Sequence, residues 1–143
     1  MKRFFLFILP FVMTVMFASI QCDKRKDIIN CTGPHKTLII TLKYPDDQPV
    51  LLDSSKVFWV GNNRYLEQTE IIWELWRNRG IYEIVGDGMR KELQNKKEIM
   101  RFSGYLNGEI VCEKDVLVGA NYCHIEYLGT ELLILIIPYI SLE

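Results

Sequence analysis

A chain of 143 residues has room for one domain, and its 17 Lys and Arg against 18 Asp and Glu give a net charge of −1. A charge so close to zero excludes a protein built to neutralise nucleic-acid phosphates. A composition that is 49% hydrophobic and 24% charged excludes an intrinsically disordered chain and a protein with several membrane spans.

The N-terminus has the residue order of an export signal. Lys2 and Arg3 precede an uncharged run of 17 residues from Phe4 to Ile20. Pro10 interrupts this run, whose length is at the lower limit for crossing a hydrocarbon core of ~30 Å. A signal peptide is therefore favoured over the alternative, a retained membrane helix.

Cys22 lies between this apolar run and the charged stretch Asp23–Asp27. The order resembles a bacterial lipoprotein signal, in which the cysteine becomes the lipidated first residue, although Gln21 stands where a small residue is usual. Acyl chains on Cys22 would anchor the protein to a membrane. The alternative is an ordinary cysteine near another cleavage site. The predicted segments are a lipoprotein signal peptide, a tether and a folded domain, at residues 1–21, 22–36 and 37–143.

Short segments rich in β-branched residues and separated by turn signals fill the rest of the chain. Asn107-Gly108 predicts a hairpin, and Gly129-Thr130 predicts another between the last two strands. The apolar run 132–137 indicates a last strand that is buried on both faces. Seven strands are predicted, at residues 37–43, 56–60, 81–85, 98–105, 109–118, 123–128 and 131–137.

Two stretches differ from this pattern. Residues 69–79 have apolar residues at both helical and alternating spacing, so the pattern does not decide between helix and strand. Trp73 and Trp76 in this stretch are candidates for an interaction surface, with core packing as the alternative. Residues 87–95 predict one short helical connection, with Asp87 near its N-cap. Because the strands do not alternate with helices, the sequence predicts an all-β fold, a seven-stranded antiparallel β-sandwich.

With Cys22 used for lipid, three cysteines remain for an oxidising compartment. Cys112 and Cys123 are the predicted disulfide pair, because they lie in consecutive predicted strands. The alternative is that these two and Cys31 are small buried hydrophobic residues.

The sequence contains no common catalytic, nucleotide-binding or metal-binding motif. Neighbouring side chains on a strand point to opposite faces, so Cys123 and His124 cannot easily bind one metal ion. We therefore predict that His124 is a structural residue whose ring nitrogens bond a neighbouring loop, and we predict no catalytic residue, metal or cofactor. An enzyme would have to draw on the remaining candidates, which are His35, Asp115, Cys123 and His124.

Four segments resemble small Bacteroidota envelope proteins with a transthyretin-like domain, also called prealbumin-like or carboxypeptidase-regulatory-like. In the last of them, Val116-Leu117-Val118-Gly119-Ala120-Asn121-Tyr122-Cys123-His124-Ile125, an asparagine replaces the usual Asp at position 121. The resemblance implies a seven-stranded, prealbumin-like sandwich without catalytic residues, and no peptidase activity carries over because the zinc-site motif is missing. The segments are Leu38–Leu52, Gly80–Asp87, Phe102–Tyr105 and Val116–Ile125.

Together, these expectations predict that the protein is a non-enzymatic, lipid-anchored β-sandwich module of the bacterial cell envelope. It would lie at the outer membrane or face the periplasm. Its partners would be a membrane, through the anchor, and a protein or glycan, but no nucleic acid. Two alternatives stay open. One is a carbohydrate-binding accessory lipoprotein of a polysaccharide-uptake system, and the other is an inhibitor or immunity protein of an envelope enzyme.

Overall fold

In the computed structural model, residues 31, 33–67, 76–131 and 133–139 are described. The elements whose bounds lie within these residues are eight strands and a short helical connection, in which a 3₁₀ turn (Asp87–Met89) leads into helix α1 (Arg90–Leu93). The strands are β1 Thr37–Lys43, β2 Ser54–Trp59, β3 Arg64–Leu66, β4 Ile81–Gly86, β5 Glu98–Leu106, β6 Glu109–Ala120, β7 Ile125–Tyr127 and β8 Ile134–Ile136.

The strands form two sheets. One has the order β4-β1-β8 and the other the order β3-β2-β5-β6-β7. Neighbouring strands run antiparallel except β1 and β8, which run parallel. The all-β class and the helical connection at 87–95 are therefore confirmed. The strand count differs, because the described residues include the three-residue β3, which the sequence pattern did not predict.

Of the two predicted glycine-containing hairpins, the structure confirms one. Asn107 and Gly108 have φ angles of 51° and 82°, as a two-residue hairpin between β5 and β6 requires. The predicted hairpin at Gly129-Thr130 is wrong, because β7 pairs with β6 whereas β8 pairs with β1 in the other sheet. The prediction that this last strand is buried on both faces is also wrong, because Ile134 and Ile136 are exposed on a sheet edge.

Alternating apolar residues from both sheets share one core. Ile40 on β1 and Tyr82 on β4 are buried, and so are Val57 on β2 and Phe102 on β5. The rings of Tyr82 and Phe102 lie 6.0 Å apart between centroids and join the two layers. Burial of these side chains supplies the main stabilising free energy.

The Tyr82 hydroxyl ties the loop after β1 to this core. It donates a hydrogen bond to the Val50 carbonyl at 2.6 Å and accepts one from the Leu52 N–H at 2.8 Å. All three residues are almost completely buried. Water therefore cannot replace the hydroxyl without opening the core.

Tyr82→Phe should lower the free energy of unfolding by about 2 kcal/mol, because it leaves a buried N–H and a buried carbonyl without the hydroxyl. Urea denaturation followed by tryptophan fluorescence measures this change. Tyr105→Phe is the control, since Tyr105 is only half-buried, and it should stay within about 0.5 kcal/mol of the parent protein. Equal effects of the two substitutions would contradict the role of the Tyr82 hydroxyl.

Candidate functional site

The carboxylate of Asp87 joins three parts of the chain just after β4. Its Oδ2 accepts the Lys36 N–H at 2.8 Å and lies 2.7 Å from Nδ1 of His124. Its Oδ1 accepts the Ile125 N–H at 2.9 Å. The Asp87 N–H in turn donates to the Lys36 carbonyl at 2.9 Å. As predicted, Asp87 lies near the N-cap of the helical connection, directly after the N-cap residue Gly86. Its side chain fixes the segment before β1 and the start of β7.

Hydrogen bonds set the ionisation of Asp87. Its side chain is 11% exposed, and burial alone would raise the pKa of this carboxyl. The hydrogen bonds from His124 and from the Ile125 and Lys36 backbone outweigh that burial and lower the pKa to about 2. Asp87 is therefore an anion at neutral pH, and the contacts of the folded protein stabilise its negative charge.

A disulfide closes the same region. Cys123 is bonded to Cys31, with the two Cα atoms 5.3 Å apart, and Cys112 is free. The predicted Cys112–Cys123 pairing is therefore wrong. Cys112 is on β6 and lies roughly 26 Å before the end of that strand at ~3.3 Å per residue, well beyond the ~7 Å that a disulfide can span.

Polar contacts hold the loop that carries Cys123. The Asn121 side-chain oxygen accepts the N–H groups of Cys123 and His124 at 2.7 and 2.8 Å, which is an Asx-turn. Arg90 donates to the Tyr122 carbonyl at 2.8 Å, and its Nη1 lies 3.4 Å from Sγ of Cys31. We call this assembly the Asp87 cluster; its members are Cys31, Lys36, Asp87, Arg90 and residues 121–125.

A cleft of about 530 Å³ opens beside the Asp87 cluster. It lies between β3 and β4, which are edge strands of different sheets, and we call it the edge cleft. Its wall includes His35 and Thr37 on either side of Lys36, and Gly86 and Gly88 on either side of Asp87. The hydrogen bonds of the Asp87 cluster therefore fix the backbone that forms this wall.

The charges in the edge cleft are mostly negative. Arg64 pairs with Glu92 at 2.7 Å, and the other ionisable side chains that line the cleft are His35, Tyr65, Glu67 and Glu83. Burial raises the pKa of Glu83, and His35 opposes that rise. The cleft therefore favours cationic groups over anionic ones.

A second surface lies on the outer side of the five-stranded sheet. Phe58 and Tyr65 are directly opposite each other on β2 and β3, with ring centroids 5.0 Å apart. Lys56 lies 5.9 Å from the Tyr65 ring and 5.4 Å from the Tyr105 ring. These four residues form the aromatic row, which offers ring faces and a cation side by side.

The other predicted site residues lie in separate environments. Asp115 makes a two-point ion pair with Arg101, at 2.7 and 3.0 Å, on exposed side chains of β5 and β6. Trp76 is half-buried. Cys22 and Trp73 lie outside the residues that the structure describes. The four residues considered for catalysis are thus divided among the Asp87 cluster, the edge cleft and the Arg101 ion pair.

Sequence reasoning missed Glu83, Thr37 and Gly86 as cleft residues. The stretch Gly86-Asp87-Gly88 offered only one signal, an acidic residue between two glycines. In the part of the chain that the structure describes, no group of three or more His, Cys, Asp or Glu side chains could hold a metal ion. Nor does any helix there have the length and apolar character needed to span a membrane. No protein-family model, curated protein or solved structure matches this chain.

Proposed function

We propose that this chain is a non-enzymatic binding module of the bacterial cell envelope, a lipoprotein anchored through Cys22 with a transthyretin-like sandwich as its folded part. The edge cleft is its ligand site. The observation that carries the proposal is this cleft, whose wall is fixed by a disulfide and a hydrogen-bonded carboxylate. Its volume of about 530 Å³ falls within the ~300–1,000 Å³ typical of small-molecule sites.

The Asp87 cluster supports a compartment outside the cytoplasm. A disulfide such as Cys31–Cys123 forms and persists in oxidising surroundings and is rare in the cytoplasm. It also supports binding over catalysis, because a cysteine held in a disulfide is no thiolate nucleophile. The carboxylate that contacts His124 is that of Asp87, which already accepts two backbone N–H groups.

The anchor is tested by Cys22→Ser in a host that processes lipoproteins. The parent protein should gain the mass of several acyl chains and partition into detergent, because two or more chains make a stable anchor. Cys22→Ser should lose both properties. Cys112→Ser is the matched control, since this free thiol lies within the fold, and it should partition like the parent. A parent protein that stays in the aqueous phase without added mass would overturn the lipoprotein assignment.

The aromatic row favours a second candidate function, carbohydrate binding at the cell envelope. Exposed tyrosines stack on sugar rings, and Tyr65 is 63% exposed. Affinity electrophoresis in gels that contain defined polysaccharides tests this function. Retardation that Tyr65→Ala abolishes, but that Tyr122→Ala at an equally exposed loop tyrosine preserves, would support it. Migration that no polysaccharide changes would contradict this carbohydrate-binding function.

A further inference from the structure

The aromatic row has a positive charge at its centre. Lys56 and Phe58 are two positions apart on β2, so their side chains share one face of the sheet, and Tyr65 is directly opposite Phe58. Tyr105 belongs to the same face, because it pairs with Ser54, two positions before Lys56. The Lys56 ammonium lies 5.9 Å from the centroid of the Tyr65 ring and 5.4 Å from that of the Tyr105 ring. The row therefore places a cation beside two tyrosine rings.

No carboxylate of the described residues forms an ion pair with Lys56. The other cation on this face, Arg101, is bound at two points by Asp115. Two further acidic residues lie near the row. Glu67 follows the end of β3 and lines the edge cleft, and Glu113 on β6 accepts a hydroxyl hydrogen bond at 3.0 Å from its partner on β5. Lys56 therefore supplies the charge that an approaching anion meets on the row.

The tyrosine rings beside this cation suit an acidic sugar. Tyr65 is 63% exposed, and Tyr105 is half-buried. The face of an aromatic ring packs against a sugar ring, and an ammonium next to it binds a carboxylate through a charge-assisted hydrogen bond. A uronic acid presents a sugar ring together with one carboxylate, which matches ring faces around one ammonium. A nucleic-acid strand also combines rings with negative charge, but a chain with a net charge of −1 is poorly suited to neutralise its phosphates.

We propose that the aromatic row binds a polysaccharide of uronic acids, with sugar rings against Tyr65 and Tyr105 and a carboxylate on the Lys56 ammonium. This inference rests on the second candidate function, carbohydrate binding, because it names the ligand class of the same surface. Lys56 determines the specificity, since the rings alone would accept neutral and acidic sugars alike. The edge cleft takes no part in this binding.

The test uses the full-length protein in a non-ionic detergent and isothermal titration calorimetry. The salt concentration is about 0.15 M, where the Debye length of about 8 Å screens distant charges. The probes are polygalacturonate, its fully methyl-esterified form and dextran sulfate. We expect polygalacturonate to bind with a Kd of about 1 mM or lower, counted per uronic acid. The methyl ester keeps the sugar chain but removes the charge, so it should bind at least about tenfold more weakly.

Matched variants locate the binding. Lys56→Gln should weaken polygalacturonate binding about fivefold or more, whereas Lys56→Arg should retain it, because a guanidinium keeps the charge and stacks on aromatic rings. Lys91→Gln, at an exposed lysine of α1, controls for the loss of one positive charge and should keep the parent affinity. Tyr65→Ala should weaken binding at least about tenfold, and Tyr122→Ala should leave it unchanged. Circular dichroism checks that all five variants fold.

The remaining outcomes separate this inference from carbohydrate binding itself. A methyl ester that binds as tightly as polygalacturonate, with both lost in Tyr65→Ala, would overturn the uronic-acid assignment and keep the carbohydrate function. Dextran sulfate that binds as tightly as polygalacturonate, or equal losses in Lys56→Gln and Lys91→Gln, would indicate general attraction of polyanions and overturn the inference. Absence of polygalacturonate binding at about 10 mM uronic acid would also overturn it, while the gels with neutral polysaccharides would still decide the carbohydrate function.

Discussion

Replacing Cys31 and Cys123 together by serine should lower the free energy of unfolding by roughly 4–5 kcal/mol. The bond joins residues 92 positions apart, so breaking it restores a large loop entropy to the unfolded chain. Guanidinium denaturation of the parent and the double variant measures the difference. The same loss should appear when the parent is unfolded in the presence of a reducing agent.

Cys112 provides the control for this experiment. Burial raises the pKa of its thiol, so in the native protein it should be protonated and slow to alkylate. Cys112→Ser should therefore change the stability far less than the double variant, and its unfolding should still respond to reductant. Peptide mapping without reduction should find Cys31 linked to Cys123. A fragment that links Cys112 to Cys123 would contradict both the pairing and the predicted loss.

The second large effect is expected at Asp87. Asp87→Ala should lower the free energy of unfolding by about 3–4 kcal/mol, because it removes the shared acceptor of the Lys36 and Ile125 N–H groups and the partner of His124. Urea denaturation measures it. Asp115→Ala is the matched control, because Asp115 takes part in a solvent-exposed ion pair worth about 0–1 kcal/mol. A loss no greater than that of the control would show that the Asp87 hydrogen bonds do not stabilise the fold.

Low pH should weaken the contacts that the Asp87 carboxylate makes. The pKa of Asp87 is about 2 in the folded protein, below its ordinary value of 3.8, so its ionisation stabilises the fold above pH 3.8. That contribution, about 1–2 kcal/mol after allowance for solvent screening, is lost as the pH falls from 3.8 through 2. The stability difference between the parent and Asp87→Asn should shrink across this interval. A difference that stays constant from pH 7 to pH 2 would show that the Asp87 charge contributes nothing.

Local sequence signals predicted several elements of the fold. The β5–β6 hairpin follows from Asn107-Gly108 between two β-rich runs, because the two-residue turn itself sets the register. The strand over residues 37–43 was predicted with the bounds that the structure gives β1. The helical connection at residues 87–95 was also predicted, with Asp87 near its N-cap.

Contacts between segments that are distant in the chain could not be predicted from local sequence signals. β8 pairs in parallel with β1, which lies more than 90 positions earlier in the chain. A run of apolar residues indicates a strand but does not indicate which strand it pairs with. The same holds for Cys123, whose partner Cys31 lies in a segment that reads as part of a tether. The edge cleft depends on two sheet edges meeting near Gly86, so no local pattern around Glu83 or His35 predicted it. Two of these features, the disulfide and the edge cleft, lie where residues 31–37 meet the rest of the fold.

The Cys31–Cys123 bond also determines how mechanical load would enter the domain. A pull on the chain before Cys31 passes through the disulfide to Cys123, three positions beyond the end of β6. β6 is paired with β5 over nine residue pairs, whereas β1 would otherwise take the pull directly and be stripped from its neighbours β4 and β8. An oxidised protein held by its N-terminus should therefore keep β1 in its sheet under a load that strips β1 from the reduced protein.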